Sequence, residues 1–363
     1  MKQIISMVLM LALMLVSAGT IAAGDQIDTV ILKKNSDIYL SVGSGPMVRL
    51  THDGIPKSYP RFSKDGSMIA FIEKSDRAAL DMILVINRQG RELYRVYIHP
   101  EQAVGAQAAD SGFGGMRYVE EMEWLNNSRI VVGGDINPST SENLIYDLPP
   151  HGLPEEFNPE GGETYSPDGK HFAYEDGMPH FTPADEQMPT LNVDNKAVYP
   201  TSHSQITFIS APRWSPDSRM LGVLVRDSHS GSLKLVIWHV GGTVTTALMP
   251  TTGASLALLP DANTSAYHAD VYYANGGWVV KSIGQGGMSP TGQAEVSTTG
   301  QGGAWQLSAD GQSFQPLQGA APPDPMVAAR ALRQKLERDA RVSGAYYGMD
   351  FWCKSCALLA LPE

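Results

Sequence analysis

Cysteine is nearly missing from this chain: two residues among 363, Cys353 and Cys356, both close to the C-terminus. A disulfide framework therefore cannot hold the body of the protein, whose core has to come from apolar burial. Beyond residue 23 no segment approaches the roughly 20 apolar residues that a membrane-spanning helix needs. Basic charge is scarce as well, with 27 Lys and Arg against 38 Asp and Glu and a net charge of −11. That balance argues against nucleic acid or anionic lipid as the main partner.

The usual marks of catalysis are also missing. No Gly-x-Ser-x-Gly elbow occurs to expose an acyl-transfer nucleophile, and no glycine-rich phosphate loop runs from a strand into a helix. Neither His-Glu-x-x-His nor His-x-His is present, so a metal site would have to be assembled from distant residues, with His171, His180, His203 and His268 as candidates. No catalytic residue, cofactor or metal is expected.

Residues 1–23 have the form of a secretory signal peptide: a positive start at Met1-Lys2, an uncharged stretch from Ile4 to Val16, and small residues at Ala18, Ala22 and Ala23. An uncleaved anchor is the competing reading. Either way the rest of the chain is expected to be exported, periplasmic or secreted.

What the chain has in place of motifs is a repeat. Pro60-Arg61-Phe62-Ser63-Lys64-Asp65-Gly66 returns as Tyr165-Ser166-Pro167-Asp168-Gly169 and as Pro212-Arg213-Trp214-Ser215-Pro216-Asp217-Ser218. An apolar run follows each copy: Met68 to Phe71, Phe172 to Tyr174, Met220 to Val223. Ser caps such a turn, Pro presets φ, and Gly accepts the left-handed backbone that reverses the chain, so each phrase joins two antiparallel strands. Asp81 to Val96 and Leu233 to Leu248 read as second hairpins, making four strands per unit.

The turn positions Asp65, Asn127, Asp168, Asp217 and Asp261 are spaced by 62, 41, 49 and 44 residues, the long interval reflecting an inserted Gly- and Ala-rich loop at 101–117. Forty-odd residues per four-stranded unit is the size of a propeller blade. The expected fold is an all-β, six-bladed β-propeller over residues 25–319, with five and seven blades open. Thr29 to Thr51 supplies three strands of a blade whose first strand must come from the other end of the chain. A candidate lies between Gln293 and Leu317, although Ala304 to Phe314 reads equally as an outer hairpin of the preceding blade.

The phrase Pro-x-Trp-Ser-Pro-Asp-Gly, with Asp37-Ile38-Tyr39 and the closing Arg49-Leu50-Thr51, resembles the repeat of TolB-like and prolyl-oligopeptidase-type β-propellers. The resemblance covers roughly residues 27 to 320 and the propeller only, with no α/β or hydrolase domain. It implies an interaction module of the cell envelope. Oligogalacturonate lyases use a related propeller carrying a His cluster, which keeps a saccharide-cleaving alternative open.

Residues 320–363 read as a linker, a C-terminal amphipathic α-helix from Met326 to Val342, and a short Cys-containing tail. Val327, Ala331, Leu332, Leu336 and Ala340 form the apolar stripe, while Arg330, Arg333, Lys335, Arg338 and Arg341 make the remaining surface basic. Membrane contact is expected only through that helix. Cys353 and Cys356 form a candidate local disulfide, with redox activity and metal binding as alternatives. The polar run holding Asp135, Asn137, Ser139 and Glu142 is the candidate ligand-facing loop. Taken together, the residues point to a non-enzymatic, exported, protein-binding or scaffold module whose partner is another envelope or extracellular protein, against the alternative of a channel-mouth lyase or hydrolase. Oligomeric state is left open.

Overall fold

The structure is a computed structural model that describes residues 27–32, 36–75, 81–98, 118–137, 140–157, 161–176, 189–200, 205–250, 267–283, 303–308, 311, 313–317, 321 and 349–353. The signal-like segment, the insertion at 101–117, Asp261, the helix expected at 326–342 and Cys356 lie outside these residues. Everything regular among them is β-strand, arranged in six antiparallel sheets. Contacts divide the chain into two compact units, one of Met1–Glu156 with Pro325–Glu363 and one of Phe157–Asp324.

The first unit holds three sheets. Strands β1 (Ile27–Leu32), β2 (Ile38–Ser41) and β3 (Val48–Arg49) belong to the first. The second is β4 (Lys57–Phe62), β5 (Met68–Glu73), β6 (Met82–Asn87) and β7 (Glu92–Tyr97); the third is β8 (Tyr118–Asn126), β9 (Arg129–Asn137), β10 (Thr140–Asp147) and β11 (Glu155–Phe157). In the second unit the fourth sheet is β12 (Gly161–Tyr165), β13 (Phe172–Asp176), β14 (Thr190–Val193) and β15 (Lys196–Tyr199). The fifth has a lead strand split into β16 (Ile206–Phe208) and β17 (Arg213–Trp214), followed by β18 (Met220–Asp227), β19 (Leu233–His239) and β20 (Val244–Leu248). The sixth is β21 (Ala269–Ala274), β22 (Gly277–Ser282), β23 (Ala304–Leu307) and β24 (Phe314–Pro316). The last strand, β25 (Met349–Cys353), returns to the first sheet and pairs antiparallel with β1, Ile27 opposite Cys353 and Ile31 opposite Met349.

This resolves the missing strand. Residues 304–316 form the outer hairpin of the sixth sheet, and the first position of the first sheet is filled from the tail. The tail contains no turn phrase, so nothing in its local pattern marked β25 as part of a sheet.

Alternation along each second strand explains why the sheets stack. Ile69 and Phe71 on β5 pack with Val30, Ile38 and Leu40 of the first sheet, whereas Ala70 and Ile72 pack with Met122, Trp124 and Val132 of the third. Both faces are therefore buried, and successive side chains serve different neighbours. In the second unit, Val223 and Val225 of β18 join Ala173 and Leu191, while Leu224 joins Val271, Trp278 and Val280. Seven residues after the turn serine the repeat keeps a small residue, Ala70, Ala173 or Gly222. At Gly222 a Cβ would lie 2.6 Å from the Trp278 ring, which shows how closely the next sheet approaches.

The turn phrase closes the same way in each copy. Ser63 Oγ donates to Asp65 Oδ1 at 2.7 Å and accepts from Met68 N at 3.0 Å; Ser166 and Ser215 repeat both bonds with Asp168 and His171 N, and with Asp217 and Met220 N. The turn ends in the left-handed region at Gly66, Gly169 and Ser218, with φ of 69°, 66° and 61°. Neighbouring turns are also linked: Asp65 N donates to Asn127 Oδ1 at 3.0 Å, and Asp168 N to Ser218 Oγ at 2.9 Å. Ser218 thus tolerates a backbone strain that glycine avoids, offset by a bond that glycine cannot make.

Two outcomes are expected. Ser218→Ala keeps the strain and loses the bond, lowering unfolding stability by about 1 kcal/mol, while Ser218→Gly stays within about 0.5 kcal/mol of the parent because the two changes offset. Urea titration of both variants checks this. Deleting 349–363 leaves the β1 backbone unpaired along five residues and lowers stability by about 2–5 kcal/mol, read as a drop in the urea midpoint.

Candidate functional site

The first strands of neighbouring sheets run side by side within each unit, β25 beside β4 and β4 beside β8 in one, β12 beside β17 and β17 beside β21 in the other. Side chains tie them: Tyr59 Oη donates to Val119 O at 3.0 Å, and Trp124 Nε1 to Arg61 O at 3.1 Å. Buried charge in the first unit is paired within sheets and, in one case, between them. Asp37, fully buried, pairs with Arg49 and accepts from Thr51 Oγ1; the buried Lys57 ammonium pairs with Asp53 and lies 3.7 Å from Glu73. Asp28 holds Arg88, whose guanidinium also donates to Gly66 O at 2.9 Å, joining the first sheet to the turn of the second.

The acidity of the turn carboxylates reflects that role. Burial opposes ionisation of Asp65 and Asp168, but the bonds from Ser67 and Ser63, and from Ser166 and Lys170, outweigh it and hold both below the ordinary carboxylate value. Asp37 is lowered against the same opposition by Arg49 and Thr51, and Asp227 is lowered chiefly by its bond from Lys234.

One buried carboxyl has no such structural partner set. Glu175 on β13 is 1 % exposed, and its Oε1 has no hydrogen-bond partner among the described residues. It stands nine residues after Ser166, where the equivalent positions after Ser63 and Ser215 are Ile72 and Leu224. Those two are core residues facing the next sheet. Glu175 therefore puts an ionisable group where the repeat expects an aliphatic one. The Tyr267 hydroxyl, just before β21, bonds to it, yet burial dominates and pushes the carboxyl well above its ordinary value. Tyr267 is raised in turn by its own burial and by the adjacent carboxyl.

Space for the pair comes from Gly162 on β12. A Cβ there would lie 2.3 Å from Tyr267 Oη, 2.8 Å from Glu175 Oε1 and 3.0 Å from Pro212 Cδ. Arg213, next in sequence, has a buried Nε without a hydrogen-bond partner among the described residues, 3.9 Å from Asp270 Oδ1.

The residues singled out from the sequence fall elsewhere. Asp135 lies on β9 opposite Ser141, whose Oγ approaches its carboxylate at 3.3 Å; Glu142 lies opposite Gly134 and is 3 % exposed. Adjacent positions on a strand face opposite ways, so Asp135 and Glu142 are on different faces of the β9–β10 hairpin. Asn137 ends β9, and Ser139 is outside the described residues. Cys353 ends β25. Of the four histidines, His180 and His203 lie outside the described residues. His171 pairs with Asp194 at 2.8 Å and stacks on Trp214 at the turn end of the fourth sheet. His268 follows Tyr267, whose partner Glu175 is four residues along β13 from His171, roughly 13 Å of strand. The two do not converge, and no group of three His, Cys, Asp or Glu among the described residues could hold a metal ion.

The chain matches no family model, and no curated protein matches it. It is similar to several solved structures at low identity. The β-propeller domain of the Trilobed protease from Pyrococcus furiosus is 11 % identical over 82 % of this chain and 83 % of that one, with a TM-score of 0.36. TolB from Acinetobacter baumannii is 13 % identical over 72 % of this chain and 62 % of that one, with a TM-score of 0.27. Oligogalacturonate lyase from Vibrio parahaemolyticus is 12 % identical over 79 % and 72 %, with a TM-score of 0.36. TolB and a peptidase propeller, the two kinds of protein that the turn phrase resembles, are among these matches.

Sequence reading passed over Glu175, Tyr267 and Gly162. The available signal was the repeat itself, in which a Glu aligns with Ile72 and Leu224. Gly162→Ala forces its methyl against Tyr267 and Glu175 and is expected to cost about 1–3 kcal/mol, measured by urea unfolding against the parent.

Proposed function

We propose that the protein is an exported, six-bladed β-propeller that acts as a non-enzymatic protein-binding module of the cell envelope, periplasmic or secreted. The signal-like residues 1–23 support export, and the six sheets, with β25 completing the first, support a count of six blades. The tail belongs to this reading through a local disulfide between Cys353, at the end of β25, and Cys356.

The observation that carries the binding role is where apolar surface is left uncovered. Of eight large hydrophobic residues exposed among the described residues, four lie within fourteen positions of the chain, between the end of β2 and the start of β4: Val42 (47 %), Met47 (44 %), Val48 (56 %) and Ile55 (38 %). Val48 sits on β3, a two-residue edge strand. A soluble surface concentrates apolar groups in this way where another protein covers them. The lowered carboxylates are engaged in turns and ion pairs, which leaves them no acid–base role in the catalytic alternative.

Cross-linking the exported protein in its native cells, followed by mass spectrometry, tests this. The expected result is a defined partner captured by the parent and lost, at least about tenfold, with Val48→Asp or Met47→Asp, while both variants keep the parental urea midpoint. Equal capture by parent and variants refutes the assigned surface.

A further inference from the structure

Glu175, Tyr267 and Gly162 meet where three sheets of the second unit come together: Glu175 and Gly162 on the fourth, Pro212 just before β17 of the fifth, and Tyr267 at the entry to the sixth. Ala173, two residues before Glu175 and on the same face of β13, packs against Trp214, Val223 and Val225 of the fifth sheet. The carboxyl therefore lies in the seam between the fourth and fifth sheets, at the end opposite the turn phrases. In the corresponding seam of the first unit the position is filled by Ile72, fully buried.

We infer that this seam is a proton-controlled latch, in which neutral Glu175 lets β12 and β17 close over it and ionised Glu175 parts them. A neutral carboxyl bonded to a phenol can be buried at small cost. A carboxylate with one oxygen lacking a partner among the described residues cannot, and the nearest way to hydrate it is to separate the strands around Gly162.

The charged and titratable groups on the surrounding elements are few. Tyr267 bonds to Glu175, and His268 follows it; Arg213 lies on β17 with its partner Asp270 on β21. Glu163 lies on β12 and Tyr199 on β15, β14 places Leu191 opposite Glu175, and β18 turns Val223, Val225 and Asp227 this way, Asp227 bonded to Lys234 of β19, with Arg226 on its other face. No cation among these is bonded to Glu175. Its shift is upward, so the stability it contributes is full below the ordinary carboxylate range and is lost as pH rises through the folded-state value.

Amide hydrogen exchange by mass spectrometry, across pH 4.5 to 9 and corrected for intrinsic rates, reads the latch in the full chain. Peptides covering 161–165, 206–214 and 267–270 are expected to lose protection above a transition, up to about tenfold per pH unit, while peptides covering 68–73 and 129–132 do not. Glu175→Gln, neutral at every pH, and Glu175→Leu, which copies Leu224, are both expected to abolish the transition. Tyr267→Phe removes the bond that favours the charged form and moves the transition to higher pH. His268→Gln leaves it in place. A parent without a transition overturns the proposal. So does a transition that survives in Glu175→Gln and Glu175→Leu, that fails to rise in Tyr267→Phe, or that disappears in His268→Gln.

Discussion

Each unit of this protein depends on burying both faces of every inner strand against a neighbouring sheet. A single four-stranded meander exposes two apolar faces and cannot persist alone, so stability resides in the seams. The alternation on β5, with Ile69 and Phe71 to one side and Ala70 and Ile72 to the other, is the elementary form of that constraint. The turn phrase serves it by fixing where each second strand begins. A shift of one residue would exchange the two faces and mismatch both seams at once.

The links between turns extend the same logic. Asn127 and Ser218 each reach back from one turn to the aspartate amide of the preceding one, so seam and turn reinforce each other. The buried charges Asp37, Lys57 and Asp28 of the first unit are each held in an ion pair. Glu175 departs from that pattern, because it occupies a seam and leaves one oxygen without a hydrogen-bond partner among the described residues.

Much of the fold was legible from short patterns. Ser-x-Asp-Gly phrases, β-branched runs and Gly-centred hairpins are local, and their bonds form among residues a few positions apart, so β4 to β7 and β17 to β20 could be placed directly. The edge strand β3 and the first sheet's incompleteness were also readable. The identity of the completing strand was not, because pairing between β1 and β25 joins residues more than 300 positions apart and depends on backbone bonds that any extended segment can make. The candidate site was less legible still. Asp135 and Glu142 stand close in sequence, but strand alternation turns them to opposite faces, whereas Glu175 and Tyr267 are far apart in the chain and meet only because their sheets pack.

Taken alone, the sequence determined the repeating four-stranded unit, the turn chemistry and the acidic, cysteine-poor character of the body, since each follows from neighbouring residues or from composition. Tertiary structure alone decided that residues 349–353 complete the first sheet and that Gly162 clears room for a carboxyl bonded to a phenol. Both facts arise from the approach of strands distant along the chain, and the energies that select them, the pairing of an exposed sheet edge and the desolvation of one acid, exist only once the sheets are in contact.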